Sequence, residues 1–350
     1  MFFIGIDVAK RSHQAAVTDI SGNVIVKPFN FKNSSDGFTK FLSIVESNAI
    51  EKNDCTIGLE STGHYWYPLY FFLIENGFDV KVFNPIQTAA FREITIRKVK
   101  NDNLDSLLIA DFTRFGRYSE TYIPDENMLA LKNLTRFRLS ISDICGSLKK
   151  KVIAILDQVF PEYTGVFSDV FGKTSKQLLE QFSTPDEFMD ISTTKLTNLL
   201  LKVSRGRNGR EKAELIKTAA QSSIGISYAL DAFSFELKQL LAQIEFMENQ
   251  LSDVDAEMEK LLSQSEYAVI TTISGIGPML GSVIVSEIGD INRFENSSKL
   301  VAYAGLDASV PESRYATTEY LFIAIKTARK AKDFVRKNLK FTQEEFCVIW

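Results

Sequence analysis

Residues 98–112 read KVKNDNLDSLLIADF. Asp102 and Asp105 stand at the head of an apolar run, Leu104, Leu107, Leu108, Ile109 and Phe112, whose spacing predicts a helix. Positions i and i+3 share a helix face, so both carboxylates point the same way. They lie in the first turn, where the helix dipole favours negative charge. Arg92, Arg97, Lys98 and Lys100 precede them. Acids flanked by bases suit a divalent cation held beside a phosphate. The same residues also read as an ordinary capped helix, with Asn101 or Asp102 as the cap and Asp105 solvated. The positions of two other acids bear on the choice.

Upstream, Phe2 to Val8 is a short apolar run that predicts a buried strand, and Asp7 near its end is costly there unless something neutralises it. Further strands are predicted at Gln14–Thr18 and Val24–Phe29, joined by the turn Asp19-Ile-Ser-Gly-Asn23 into an antiparallel meander. Ser35–Ser47 is amphipathic, with Phe38, Phe41, Leu42 and Val45 inward. Cys55–Leu59 is a fourth strand and Glu60 stands at its carboxyl end. A helix over Tyr65–Asn76 stops at Gly77, Phe78–Phe83 is a fifth strand, and Pro85 opens another helix. The order βββαβαβα is that of the RNase H-like fold, in which enzymes place carboxylates at the first strand, the fourth strand and the late helix. Asp7, Glu60, Asp102 and Asp105 fall at those points and could hold two Mg²⁺ (or Mn²⁺) ions about 4 Å apart, the arrangement of phosphodiester chemistry. Actin-like sugar kinases also open on Gly-Ile-Asp, but they need glycine-rich phosphate loops after the strands. Here Asp7 is followed by Val-Ala-Lys, and no second such loop appears.

Composition narrows the chemistry. With 350 residues and 45 % hydrophobic content the chain suits two or three domains with a real core. No apolar run reaches the roughly 18 residues of a membrane span, and the start lacks the pattern of a signal peptide. The 3 cysteines form no paired spacing, which predicts reduced thiols in a cytoplasm. Only His13 and His64 are available as imidazoles, so an oxygen-ligated metal is expected rather than zinc. The net charge of −4 is unusual for a nucleic-acid binder, but it is uneven. Bases cluster at 92–100, at Lys149–Lys151, at Arg205, Arg207 and Arg210, and from Lys326 to Lys340. A local basic surface binds phosphate whatever the total charge.

The predicted domains are 1–120, then a helical region 121–265 with an insertion at 161–225, then 266–350. Met128 to Val159 predicts a long helix closed by Pro161. Within the insertion only short amphipathic pieces near Leu178–Phe182 and Leu196–Val203 stand out, followed by the loop Ser204–Arg210, whose three arginines among glycines suit phosphate or solvent equally. From Ile226 to Leu261 apolar residues recur in steps of four and three, which predicts about five heptads of coiled coil against the 128–159 helix or another subunit. Tyr267 to Gly289 reads as a helix-hairpin-helix around Gly275 and Gly277, whose backbone N–H groups can meet a phosphate.

Taken together, Ile4-Gly-Ile-Asp7, Leu59-Glu60-Ser-Thr-Gly63, Asn84-Pro85, Lys100-Asn-Asp-Asn-Leu-Asp105, Ile273-Ser-Gly-Ile-Gly-Pro278, Glu287-Ile-Gly-Asp290, Arg293-Phe294 and Ala302-Tyr-Ala-Gly-Leu306 resemble the DEDD transposases of insertion sequences, the IS-one-ten group that includes the pilin-gene invertase. The resemblance runs from residue 4 to about 313 and is least distinctive over 161–225. It implies a RuvC-like N-terminal domain, a coiled coil and a mostly α-helical C-terminal transposase domain with a serine nucleophile. It implies Mg²⁺-dependent recombination of element ends and target DNA, guided by an element-encoded RNA, in a homo-oligomer (dimer or tetramer), and with it a nucleoid-associated protein. Carried over, the acids are Asp7, Glu60, Asp102 and Asp105, and the serine is Ser313. Nucleic-acid contacts are expected from Arg97, Lys98, Lys100, Arg205, Arg207, Arg210, Gly275 and Gly277. The chain departs from the family after the serine, where Arg314 replaces glycine and the Ser-Lys-x-Gly stretch is missing, and Pro311 lies two residues before it. A hydrolytic junction nuclease using the acids alone, and a decayed copy that only binds nucleic acid, are the competing readings.

Overall fold

The computed structural model describes residues 1–94, 102–273 and 275–304, without the side chains of Ile94, Asp102, Asn103, Ser297, Ser298 and Val301. Two compact units emerge, Met1–Ile123 and a second beginning at Pro124.

In the first unit, β1 (Phe2–Asp7) pairs antiparallel with β2 (Ser12–Asp19), Phe2 facing Asp19 and Asp7 facing Gln14. The turn to β3 (Val24–Lys32) closes because the Asp19 carboxylate accepts from the Asn23 N–H at 2.8 Å and Gly22 takes φ +84°, where a side chain would be strained. Helix α1 (Ser35–Ser47) starts where the Ser34 hydroxyl accepts from the Gly37 N–H, and buries Phe38, Phe41 and Val45. Then come β4 (Cys55–Glu60), α2 (Trp66–Glu75), β5 (Asp79–Phe83), α3 (Pro85–Ile94) and α4 (Asp102–Phe115). Strands β4 and β5 run parallel to β1, and the sheet order is β3-β2-β1-β4-β5. That order and those directions are the RNase H-like arrangement expected from the sequence.

The sheet separates two apolar layers. Ile4, Ile6, Ile57 and Leu59 pack with Phe38 and Phe41 of α1 and with Trp66, Leu69 and Leu73 of α2. On the other face Phe83 packs with Ile109 and Phe112 of α4 and with Phe91 of α3. Single-residue alternation along each strand sends neighbouring side chains to opposite layers.

The second unit is helical. Helix α5 (Glu126–Val159) is capped by Asp125, whose carboxylate accepts from the Met128 N–H at 2.8 Å. Helices α6 (Lys173–Gln181), α7 (Pro185–Asp190), α8 (Thr193–Ser204) and α9 (Arg210–Gln221) follow, then α10 (Leu230–Ser263), α11 (Pro278–Ile288) and α12 (Ser297–Tyr303). Helix α10 lies antiparallel to α5, since Arg138 pairs with Asp255 while Lys149 pairs with Glu248. No helix among the described residues is long and apolar enough to cross a membrane. Cys55 and Cys145 are buried free thiols.

Three expectations need correction here. The heptad run starts late: Ala229 takes φ +55°, so the helix opens at Leu230 and Ile226 stays outside it. The residues α10 buries are Leu237, Leu240, Leu241, Ile244, Val254, Met258 and Leu262, a stripe wider than a two-helix seam. The reason is that α10 faces several partners, sharing one core with α5, α6, α8 and α9 and another with α5 and α11. Second, the element before the Gly275 turn is a 3₁₀ run, Glu266–Thr272, not an α-helix. Its Val-Ile-Thr-Thr stretch is β-branched, and it offers no fully buried side chain to stabilise a longer helix. Third, the segment 161–225 holds four helices where only two pieces were legible.

Buried His13, on β2, lies among Phe31 and Phe38. Burial holds its imidazole below the usual value, opposed by a hydrogen bond with Asn33. A base whose folded pKa is depressed binds fewer protons folded than unfolded. Its contribution is therefore intact above the unfolded value of about 6.5 and is lost as pH falls towards the folded value. Denaturant unfolding of the wild type should show stability falling between about pH 7 and pH 5.5, and His13→Leu should flatten that window.

Candidate functional site

Asp7 and Glu60 are the last residues of β1 and β4. The parallel register that sets Phe2 beside Cys55 and Ile6 beside Leu59 brings them next to each other. Adjacent strands lie about 4.8 Å apart, and register partners project to the same face. Two glycines identify that face. A Cβ built on Gly5 would stand 2.1 Å from the Ser106 carbonyl oxygen and 2.2 Å from the Ala110 nitrogen, both in α4. A Cβ on Gly58 would stand 2.0 Å from the Thr113 hydroxyl of the same helix. Gly5 and Gly58 each precede an acid by two positions, so Asp7 and Glu60 share their face and emerge on the α4 side.

Asp105 is brought to that side by α4. It is 8 % exposed, one residue before the Ser106 carbonyl that touches Gly5. Its Oδ1 lies 2.8 Å from Arg92 Nη2, on α3. One helical turn before Arg92, the buried Thr88 hydroxyl donates to Glu60 Oε1 at 2.8 Å. Positions i and i+4 lie on one helix face. A single face of α3 therefore holds the acid of β4 and the acid of α4. Helix α3 is itself fixed by an Asn84 cap, whose side-chain oxygen accepts from the Ile86 N–H at 2.9 Å. Phe91 completes the anchorage, its ring centroid 5.1 Å from that of Phe112.

Asp102 opens α4, one turn before Asp105. Its side chain, together with Arg97, Lys98, Lys100 and Ser313, lies outside the described residues. The donors that surround the site are carboxylate oxygens, which suit a hard divalent cation. Among the described residues no three acidic, histidine or cysteine side chains stand close enough to hold a metal together. Asp105 is held by a cation of the protein's own, Arg92.

The other expected contacts lie in the second unit. Arg205 ends α8 in the left-handed region at φ +54°, followed by Gly206 at φ +83°. Arg207 lines a shallow cavity with Asn208, Glu211 and Lys212. Arg210 begins α9 and pairs with Glu214 at 2.7 Å, so part of the loop's positive charge is already matched. Gly275 turns the chain at φ +93°, and Gly277 precedes α11 without a side-chain cap. Sequence reading missed Thr88 and the two glycines. A signal was present: Gly5-Ile-Asp7 and Gly58-Leu-Glu60 repeat one pattern, glycine two residues before an acid.

The first unit thus defines a class: an RNase H-like domain with carboxylates at the carboxyl ends of neighbouring parallel strands and on the helix crossing them. Comparison with known proteins gives the family. A model of the DEDD transposases of IS110 matches residues 4–161, and a model described as "Transposase IS116/IS110/IS902 family" matches residues 267–314. The chain belongs to this transposase family. The "Mini-circle putative transposase for IS117" of Streptomyces coelicolor is 25 % identical, covering 87 % of this chain and 75 % of that protein. The "Insertion element IS116 uncharacterized 44.8 kDa protein" of Streptomyces clavuligerus is 24 % identical, covering 88 % and 76 %. The structure of T. thermophilus RuvC in complex with a Holliday junction substrate is 15 % identical at a TM-score of 0.25, covering 35 % of this chain and 100 % of that one, a likeness too remote to bear on chemistry.

The glycine contacts predict a graded cost. Gly5→Ala would strike helix backbone, which cannot rotate away, and should destabilise by about 3 kcal/mol, at the upper end of overpacking. Gly58→Ala meets chiefly side chains, Thr113 and Phe83, and should cost about 1 kcal/mol. Urea denaturation of both variants checks the order.

Proposed function

We propose that this protein is the transposase of an insertion sequence, a DNA recombinase that cuts and rejoins strands with the acids of its first unit and the hydroxyl of Ser313. The observation that carries this reading is the placement of Asp7 and Glu60 side by side at the strand ends, on the face crossed by the helix that bears Asp105. Its place in the transposase family supports it.

In this reading Asp7, Glu60, Asp102 and Asp105 would hold Mg²⁺ or Mn²⁺. When bound, such an ion neutralises phosphate charge and stabilises the departing oxygen. The sheet fixes Asp7 and Glu60 in direction, and Thr88 orients Glu60 through its hydrogen bond. Ser313 Oγ attacks a backbone phosphorus and forms a phosphoserine bond as one P–O bond to deoxyribose breaks. The serine proton is given up and the departing deoxyribose oxygen gains one. Attack by a deoxyribose hydroxyl of the exchanged strand reverses these changes and releases the serine. The bond energy is kept in the phosphoserine, so ATP is not required. An element-encoded RNA would select the DNA, and a homo-oligomer would supply the paired sites for two element ends.

The test uses purified protein with element-end DNA, its flanking RNA and Mg²⁺. A protein–DNA adduct that survives denaturation should form with the wild type and disappear with Ser313→Ala. Asp7→Asn should lower adduct formation by at least about a hundredfold, as removal of a group at the reacting phosphate does. Cleavage without an adduct would mean a metal nuclease that uses only the acids. Neither product would mean a nucleic-acid-binding copy without catalysis.

A further inference from the structure

Asp105 is paired with a cation of the protein's own. It is nearly buried, and Arg92 Nη2 stands 2.8 Å from its Oδ1. Burying a carboxylate without a partner costs several kcal/mol, so a protein that must keep this acid ready needs a counter-charge whenever no other cation is present. Arg92 is placed for that duty. It stands in the last turn of α3, and its side chain is 28 % exposed.

We propose that Arg92 is a resident counter-ion that occupies Asp105 until a divalent cation takes its place, so that guanidinium and metal compete for one carboxylate. The proposal rests on the metal-site reading of the acids given above. The geometry is specific. Thr88 and Arg92 are one turn apart on α3, and they reach Glu60 and Asp105 respectively. Thr88 is neutral and can stay on Glu60 when a cation arrives. Arg92 is a cation and cannot stay beside a divalent ion without strong repulsion, since unit charges at about 4 Å interact by several kcal/mol in a partly buried setting. Displacement swings the guanidinium away from Asp105, where its fork of donors suits the next anion to enter, a phosphate of the nucleic acid. Arg92 is thus a positioning residue, acting on the reaction through Asp105.

The experiment measures Mn²⁺ binding to the full chain, without nucleic acid, by calorimetry and by the metal-induced rise in melting temperature. Arg92→Gln should lower the melting temperature of the metal-free protein yet bind Mn²⁺ about tenfold more tightly, within the usual range of coupling between two sites. Arg92→Lys keeps the competing charge and should bind Mn²⁺ like the wild type. Equal or weaker binding by Arg92→Gln would overturn the proposal, because a merely structural ion pair predicts lost stability with no gain in metal affinity. The fate of Asp7→Asn separates the two levels. If Asp7→Asn binds Mn²⁺ as the wild type does, the metal-site reading itself fails. If Asp7→Asn loses the metal while Arg92→Gln gains nothing, only the Arg92 proposal falls. Should Arg92→Gln fail to fold, nitrogen NMR of the wild-type guanidinium, assigned with Arg92→Lys, gives the answer. Titration with Mg²⁺ should free a hindered Arg92 Nη rotation, and a rotation unchanged at metal saturation refutes the exchange.

Discussion

The contact on which the first unit depends is the backbone-to-backbone seating of α4 on the central strands. An ordinary helix rides on a sheet at a distance set by the side chains between them. Here Gly5 and Gly58 remove those side chains, and the Ser106 carbonyl and Ala110 nitrogen come down to the level where a Cβ would stand. Each glycine carries an entropic penalty of roughly 0.5–1 kcal/mol in a strand. The packing of Ile109, Phe112 and Phe83 beneath the helix offsets it. The consequence is positional. Asp105 on the first turns of α4 comes to the same face as the acids at the ends of β1 and β4 because the helix is this low, and a methyl group at Gly5 would lift it away from the strands.

Helix α3 has a different task from the elements around it. It adds Phe91 to the layer over Phe83, but its polar face does the more specific work. Thr88 satisfies one oxygen of Glu60, and Arg92 balances the charge of Asp105. Both carboxylates are thereby given a partner and a direction. The opposite layer, with α1 and α2, contains apolar side chains from nearly every position facing the sheet. The unit is thus stabilised on one side and chemically equipped on the other, and period-two alternation along β1 and β4 lets one strand serve both ends.

Much of this was legible in the sequence, for physical reasons. Strands β1 and β4 are short apolar runs closed by an acid, and α1 begins at Ser35 as expected because Ser34 supplies a cap and Phe38, Phe41 and Val45 keep helical spacing. The sheet order followed from the element order. The second unit was less legible because its segments α6 to α9 are short and bury only one to three side chains each, so each carries little periodicity of its own. The heptad pattern in α10 was real but overextended, since it counted Ile226 beyond a left-handed break and could not reveal a third and fourth partner helix. Of the site, the acids were visible as residue types in a pattern. Gly5 was read as part of a motif and Gly58 only as part of a strand, neither as a contact, and Thr88 gave no signal, because a hydroxyl that bonds a carboxylate 28 residues away is defined only by the fold.

The acids fall into two kinds, and the difference follows from what anchors each. Asp7 and Glu60 are held by main-chain hydrogen bonds of a sheet, which set the direction of their side chains whatever occupies the site. Asp105 is held by a helix and by a side-chain partner, Arg92. A ligand field built only of strand-borne acids would be rigid and permanently charged, and such a site would repel the phosphate it must receive. In the proposed exchange, one acid neutralised by a guanidinium removes that difficulty, because the negative charge is released only when a cation is there to take it. On the exchange proposed for Arg92, the strands determine where a divalent ion sits, and the α3–α4 pair determines when the full set of donors becomes available to it.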